Sequence, residues 1–189
     1  MKFYKYIITI VGCSFLFSQD LTWNQEVVTF KSANPFSFEE IITNLDNEPV
    51  QDVSGILTLP EDFDPNIKYP LIIGVAGSLN WGPHHLKYLK MFQEMGFATF
   101  QLQSFDSRDV QSTVGTQTEV TTAMVILDSY RALETLSGHP NIDTNHAGIT
   151  GWSLGGGVSL YSAWLPLINA INGGKFMFAA HLPIYPPCM

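Results

Sequence analysis

The 189-residue sequence has little cysteine, few cations and no long apolar segment. Cys13 and Cys188 are its only cysteines, which excludes a small domain held together by several disulfides. Nine Lys and Arg residues stand against 17 Asp and Glu, for a net charge of −8, and the cations are scattered, which excludes a basic nucleic-acid-binding surface. No apolar run reaches the roughly 20 residues that a transmembrane helix needs. We therefore expect neither a nucleic-acid partner nor a stable membrane span.

The N-terminus has the pattern of an export signal. Two lysines within the first five residues precede an apolar run over residues 6–17 and a small residue, Ser18. This pattern predicts a signal peptide over residues 1–18 and a secreted or periplasmic protein. A second interpretation is a lipoprotein, because residues 10–13 resemble a lipobox in which Cys13 would be acylated. Cleavage would leave Cys188 as the only cysteine of the exported chain.

The rest of the chain, residues 19–189, is predicted to form one domain. Hydrophobic residues make up 46% of the sequence and aromatic residues 13%, which is ample material for a packed core. Strands are predicted at residues 25–30, 53–59, 69–76, 97–100, 147–150 and 176–184. Helices lie between the later strands, and this alternation predicts an α/β fold with a mostly parallel sheet covered by helices on both faces.

Three helices are predicted from apolar periodicity. The first has an apolar face at Leu86, Leu89, Phe92 and Met95 and ends at Gly96. The second begins at a capping box, Thr116 with Glu119, and buries Ala123, Ile126, Leu127, Tyr130 and Leu133. The third begins in the glycine run 155–157 and continues to about Trp164.

The motif Gly151-Trp152-Ser153-Leu154-Gly155 lies between a predicted strand and a predicted helix. A Gly-x-Ser-x-Gly sequence in this context predicts a nucleophile elbow, a strained turn that projects the serine hydroxyl above the sheet. Gly151 and Gly155 support the turn because side chains at these positions would clash. Ser153 is therefore the predicted catalytic nucleophile; an ordinary helix-capping serine is the alternative.

Two backbone donors are predicted to form an oxyanion hole beside Ser153. The N–H of Leu154 lies at the N-terminus of the helix, where the helix dipole favours a developing negative charge. The second donor comes from the loop after the third strand, where we expect the N–H of Ser78, with Gly77 as the next choice. The alternative is that this glycine-containing loop only reverses the chain.

The elbow, residues 148–157, resembles that of the dienelactone hydrolase family within the α/β hydrolases. Residues 96–100, 104–108 and 139–143 resemble the family's segments before the elbow, and residues 184–188 resemble its sixth strand. The resemblance covers the chain from about Val53 onward. It implies the α/β-hydrolase fold, an acyl-enzyme mechanism, a small-molecule ester or lactone substrate and no cofactor.

Three features depart from that family. Ser153 stands where the best-known dienelactone hydrolases carry cysteine, so their substrate does not transfer to this chain. Ala76-Gly77 replaces the His-Gly of many relatives. No Asp or Glu follows Ser153, and the only later histidine, His181, lies where the family carries neither the catalytic acid nor the base. We expect the sequence to lack the fold's C-terminal strands, with the acid and base beyond Met189 and the 189-residue piece inactive by itself.

Other patterns give weaker hypotheses. The segments 62–66 and 141–145 resemble the start of a calcium loop but lack its later ligands, so no metal site is predicted. Adjacent His84 and His85 are interpreted as a solvated helix start rather than a ligand pair. Arg108 is a candidate for binding an anionic substrate group or for forming a surface salt bridge.

The sequence therefore favours an exported serine esterase or lactonase. A peptidase or an acyltransferase of the same fold remains an alternative, because the elbow specifies the nucleophile and not the leaving group. A non-catalytic or truncated binding module is the alternative from a different class, supported by the missing acid and base.

Overall fold

The computed structural model describes residues 21–187. The predicted signal peptide, Cys13 and Cys188 lie outside the described residues. The strands are β1 (Gln25–Ala33), β2 (Val50–Thr58), β3 (Tyr69–Val75), β4 (Ala98–Leu102), β5 (Ile142–Trp152) and β6 (Ala180–Ile184). The helices are α1 (Phe38–Thr43), α2 (Pro83–Glu94), α3 (Thr122–Leu136), α4 (Leu154–Tyr161) and α5 (Leu165–Asn172), with 3-10 turns at Leu45–Asn47 and Asp106–Arg108.

The six strands form one mixed sheet in the order β1-β2-β4-β3-β5-β6. The strands β4, β3, β5 and β6 run parallel to one another, whereas β1 pairs antiparallel with β2, and β2 pairs antiparallel with β4. The predicted α/β fold with a mostly parallel sheet is therefore confirmed, with an antiparallel edge formed by the first two strands. The C-terminal ends of the four parallel strands lie at the same end of the sheet. The loops after β3 and β4 and the turn into α4 lie at this end.

The main core lies between the sheet and the face covered by α3, α4 and α5. Its apolar side chains come from every strand except β6 and from these helices. The residues predicted to be buried on α3 are all at most 2% exposed: Ala123, Ile126, Leu127, Tyr130 and Leu133. Side chains alternate between the faces of a strand, and Gly74 between Ile73 and Val75 faces Leu89 of α2. Helix α2 therefore covers the opposite face.

Two predicted helix features were wrong. Helix α3 is capped by Thr121, whose side chain accepts the N–H of Met124 at 3.2 Å. Thr116 and Glu119 do bond to each other at 2.6 Å, but through their side chains in the loop before the helix. On α2, Leu86 and Met95 are exposed, and the buried residues are Leu89 and His85. The helix packs on the sheet through the face that carries His85 and Leu89.

Two short helices were not predicted. Helix α1 lies in a polar, proline-containing stretch, and Ser37 caps it by accepting the N–H of Glu40. The predicted helix ending near Trp164 corresponds to α4, which ends at Tyr161, and α5 is a separate helix that begins at Leu165. Among residues 21–187, no single helix is long and apolar enough to cross a membrane; α4 and α5 meet those criteria only as a pair, bent by 81°.

Arg108 forms a salt bridge, as one of its two interpretations predicts, but in the interior and not on the surface. Its guanidinium forms a bidentate pair with Asp128 of α3, at 2.7 and 3.1 Å, and the two side chains are 5% and 0% exposed. Its remaining N–H groups donate to Asn34 and to the backbone carbonyls of Ala33 and Ser104. All five donors of the guanidinium are satisfied. Arg108 therefore joins β1, the loop after β4 and α3, and none of its guanidinium N–H groups is left for a substrate.

Candidate active site

Ser153 lies in a sharp turn between β5 and α4. Its backbone dihedrals are φ 54° and ψ −114°, a left-handed conformation that costs a non-glycine residue on the order of 1–3 kcal/mol and is found mostly at functional sites. The turn is fixed from both sides, since the Ser153 N–H donates to the Ile184 carbonyl at 3.1 Å and its own carbonyl accepts the Gly157 N–H at 3.0 Å. This is the strand–turn–helix geometry of a nucleophile elbow.

The two motif glycines leave room for this turn. A Cβ atom on Gly151 would lie 2.2 Å from the carbonyl oxygen of Gly155, and a Cβ on Gly155 would lie 2.4 Å from the carbonyl oxygen of Val75. Both contacts are with backbone atoms, which have little freedom to move. The close approach of β3, β5 and α4 thus requires glycine at each position, as the motif predicts.

The Ser153 side chain is half-buried. Among residues 21–187 its hydroxyl makes no hydrogen bond. A serine that caps a helix usually donates or accepts within the first turn, but Ser153 has no such side-chain bond to α4. The side chain is therefore free for an incoming group.

Two candidate oxyanion donors flank this serine. Leu154 is the first residue of α4, so its N–H has no partner within the helix and lies at the positive end of the dipole. The loop after β3 approaches from the other side, since a Cβ on Gly77 would lie 3.7 Å from the Cβ of Ser153. Ser78 follows in this loop. The structure thus brings together the segments that carry all three residues predicted for the site.

Solved structures share this architecture. A protein named m3DLH matches with a TM-score of 0.51 at 14% identity, over 74% of this chain and 54% of that chain. P91, a dienelactone hydrolase-like promiscuous phosphotriesterase from metagenomic libraries, matches with a TM-score of 0.50 at 14% identity, over the same two shares, 74% and 54%. No protein-family model matches the sequence, and a search of curated proteins finds no match.

The chain has the α/β-hydrolase fold. It spans about half the length of the solved proteins that it matches. Within this fold, Ser153 occupies the turn after β5, and residues 76–82 form the loop after β3, which lies beside this turn at Gly77.

His181 does not serve this α/β-hydrolase elbow as a base. It lies on β6, paired with Ile149 of β5, and its Nδ1 contacts the Ser159 carbonyl at 2.8 Å and the Ser162 hydroxyl at 3.1 Å. A carbonyl oxygen only accepts, so Nδ1 carries the proton and donates. The imidazole is thus held against the C-terminal half of α4, away from the Ser153 turn.

Aromatic residues pack beneath the elbow. The Trp152 indole, 1% exposed, stacks on the His85 ring with centroids 4.6 Å apart and meets Trp81 edge to face at 6.3 Å. The Trp81 indole N–H donates to the Leu102 carbonyl at 2.9 Å. This cluster joins the residue before Ser153 to α2 and to the end of β4.

His85 is buried in this cluster, so its prediction as part of a solvated helix start was wrong. The side chain is accessible at only 4% of its surface, and its Nδ1 accepts the Gly82 N–H at 3.0 Å. Burial lowers the pKa of His85 to about 4, with a smaller contribution from His84. His85 is therefore neutral near pH 7. Its burial depends on contact with Trp152, which no local pattern in the sequence indicates.

The segments that resemble calcium loops have local roles. The Asp64 carboxylate accepts the Asn66 N–H at 2.8 Å, and the Asp143 carboxylate accepts the Asn145 N–H at 3.1 Å and contacts His146 at 2.7 Å. This bond with His146 is the main cause of a lowered pKa at Asp143. Within residues 21–187, no three His, Cys, Asp or Glu side chains are grouped so that they could hold a metal ion.

Proposed function

We propose that the complete protein is a serine hydrolase that cleaves ester or lactone bonds through an acyl-enzyme on Ser153. One observation carries the proposal: Ser153 is held at φ 54° with a hydroxyl that no described residue engages. Strain of this kind persists only where the surrounding structure imposes it. Such strain is concentrated at active sites, which supports a catalytic use for this elbow.

The proposed reaction has two stages. The Ser153 Oγ attacks the substrate carbonyl carbon while a base takes the hydroxyl proton, and the carbonyl oxygen becomes an oxyanion. The N–H groups of Leu154 and Ser78 donate to that oxyanion. When the C–O bond to the alcohol breaks, the base returns its proton to the departing oxygen. Water then attacks the acyl-enzyme by the same route, releasing the acid and restoring Ser153.

The base and its carboxylate are assigned to a part of the complete protein outside these 189 residues. No Asp or Glu follows Ser153 in the sequence, and among the described residues no histidine bonds to its hydroxyl. The fold supplies these groups after the nucleophile, in the order acid and then histidine. This chain covers only 54% of P91, which leaves room for them in a protein of that length.

Export is part of the proposal. The cations, apolar run and Ser18 of residues 1–18 favour a cleaved signal peptide and a secreted or periplasmic enzyme. Acylation of Cys13 would instead tether the protein as a lipoprotein. Mass spectrometry of the N-terminus of the mature protein distinguishes a start near residue 19 from an acylated Cys13.

A second candidate is a non-catalytic binding module. The observation that favours it is that, among residues 21–187, no acid or histidine bonds to the Ser153 hydroxyl. In such a module the elbow would be retained only for packing, and Ser153 would have ordinary reactivity.

A fluorophosphonate probe separates the two candidates. The complete wild-type protein should be labelled on Ser153, and the variant Ser153→Ala should not. Ser137→Ala is the matched control, because Ser137 is half-buried, like Ser153, and its hydroxyl donates only to the local backbone at the end of α3. A complete protein with no Ser153-dependent labelling would exclude the hydrolase and leave the binding module.

Substrate class is tested with the same variants. We expect p-nitrophenyl esters and lactones to be hydrolysed with Ser153-dependent kinetics, with turnover lowered by at least about a thousandfold in Ser153→Ala. Peptide substrates and acyl-acceptor alcohols test the peptidase and acyltransferase alternatives. Because P91 is described as a promiscuous phosphotriesterase, a phosphotriester belongs in the same panel.

A further inference from the structure

The loops that follow β3 and β4 are tied together by three hydrogen bonds. The Asn80 side-chain amide donates to the Asp106 carboxylate at 2.8 Å. The Ser78 carbonyl accepts the Thr113 N–H at 2.9 Å and the Ser112 hydroxyl at 3.1 Å. The loop with the proposed oxyanion donor is therefore held in place by the loop after β4.

Asn80 occupies the turn of this loop in a left-handed conformation, φ 63°, which asparagine tolerates better than most residues. Both ends of its side-chain amide are engaged, since Oδ1 accepts the Trp81 N–H at 2.9 Å and Nδ2 donates to Asp106. The backbone N–H of Asn80 donates to the Gly77 carbonyl at 2.9 Å. The side-chain bonds thus fix the residue whose N–H closes the turn.

Peptide geometry carries this constraint to Ser78. The Gly77 carbonyl and the Ser78 N–H belong to one planar trans peptide, so they point in opposite directions. With the carbonyl directed at the Asn80 N–H, the Ser78 N–H is directed out of the turn. The same peptide lies beside the nucleophile, because a Cβ on Gly77 would be 3.7 Å from the Cβ of Ser153.

We propose that Asp106 is a positioning residue of the site, which acts through Asn80 to fix the direction of the Ser78 N–H. Ser112 and Thr113 fix the next peptide in the same way. The proposal rests on the proposed function, since it concerns the donor to an oxyanion formed at Ser153. Asp106 is exposed. In this proposal it influences the site at Ser153 only through Asn80 and the turn that Asn80 closes.

The experiment compares Asp106→Ala with Asp106→Asn in the complete protein. Removing an oxyanion donor costs about 10²–10³ in kcat, and misdirecting it should cost less, so we expect Asp106→Ala to lower kcat by about 10–100-fold. KM should stay within about twofold, because the oxyanion exists only in the transition state. Asp106→Asn keeps an acceptor for the Asn80 amide and should retain kcat within about threefold.

A trifluoromethyl ketone inhibitor gives a second readout. Its adduct with Ser153 carries an oxyanion, so its Ki should rise by the same factor by which kcat/KM falls in Asp106→Ala. The thermal midpoint should move by no more than about 2 °C, because Asp106 is exposed. Gln111→Ala is the matched control: Gln111 is exposed in the same loop, and among the described residues its side chain makes no hydrogen bond.

The outcomes separate this proposal from the proposed function. Wild-type turnover that depends on Ser153, with kcat and Ki unchanged in Asp106→Ala, overturns the positioning role alone. An equal loss of kcat in Asp106→Asn and Asp106→Ala also overturns it, because the acceptor is then irrelevant. If the complete wild-type protein lacks Ser153-dependent turnover, the proposed function fails and the positioning role fails with it.

Discussion

The Asp128 carboxylate and the Ser153 hydroxyl occupy opposite environments in the same fold. Asp128 is fully buried and accepts hydrogen bonds from both terminal nitrogens of Arg108 and from the hydroxyls of Ser32 and Ser104. Ser153 is half-buried, is held in a left-handed conformation and has no side-chain partner among residues 21–187. The Asp128 carboxylate is thus fully hydrogen-bonded, whereas the Ser153 hydroxyl makes no hydrogen bond with these residues.

This difference separates a structural group from the proposed nucleophile. A buried ion pair whose donors and acceptors are all satisfied holds elements together but has no capacity left for a ligand. A strained residue with a free hydroxyl has that capacity, and its cost in stability is met by the packing around it. The charged residue that the sequence suggested for substrate binding, Arg108, falls in the first group.

The largest expected effect comes from breaking the buried pair. Asp128→Ala would leave the Arg108 cation buried without its partner, and we expect the free energy of unfolding to fall by about 3–5 kcal/mol. Urea denaturation of the complete protein measures this loss. The control is Arg131→Ala on the same helix, which breaks a partly exposed pair with Glu134 and should cost no more than about 0.5 kcal/mol. Equal losses would contradict the assigned structural role.

A smaller effect is expected when the elbow is filled. Gly155→Ala forces a Cβ to within 2.4 Å of a backbone oxygen of β3, so we expect a loss of about 2–3 kcal/mol. Gly157→Ala makes the same change in the same helix, where the nearest atoms belong to the Pro187 ring at 3.4 Å. That variant should be neutral or more stable by up to about 1 kcal/mol, because alanine favours the helix. Similar stabilities of the two variants would show that the elbow is not tightly packed.

The smallest effect tests the strain itself. Ser153→Gly removes the side chain from a left-handed residue, whereas Ser153→Ala removes only the hydroxyl and keeps the Cβ. Relief of strain outweighs the extra entropy of unfolded glycine, so the glycine variant should be more stable than the alanine variant by about 1 kcal/mol. Thermal unfolding of the two proteins under matched conditions measures the difference. A less stable glycine variant would mean that Ser153 is not strained.

The elbow was predictable because its requirements are local. Two glycines and a serine at fixed spacing, between an apolar strand and an apolar helix, leave few other conformations. The buried strand β3 was equally clear, since a run of apolar residues suits a strand covered on both faces. The direction of β1 and β2 was not predictable in this way, because strand pairing joins residues that are distant in sequence.

Other features depended on contacts that local patterns do not contain. His85 is buried because Trp152, on another element, stacks against it. The sequence around Arg108 does not indicate that its side chain is buried. Its structural role arises because the fold places Asp128 of α3 beside it. Helix α1, with six residues, is too short to display a helical period.

The hydrogen bond from the Ser153 N–H to the Ile184 carbonyl has a consequence for the order of folding. The turn needs the close backbone approach of Val75 on one side and Ile184 on the other, and contacts so distant in sequence form late because closing the intervening chain is costly. During synthesis, a nascent chain that has not yet reached β6 carries the serine without this restraint. Formation of the strained Ser153 turn is thus expected to follow assembly of the sheet, so a half-made chain would not yet hold this serine in its final conformation.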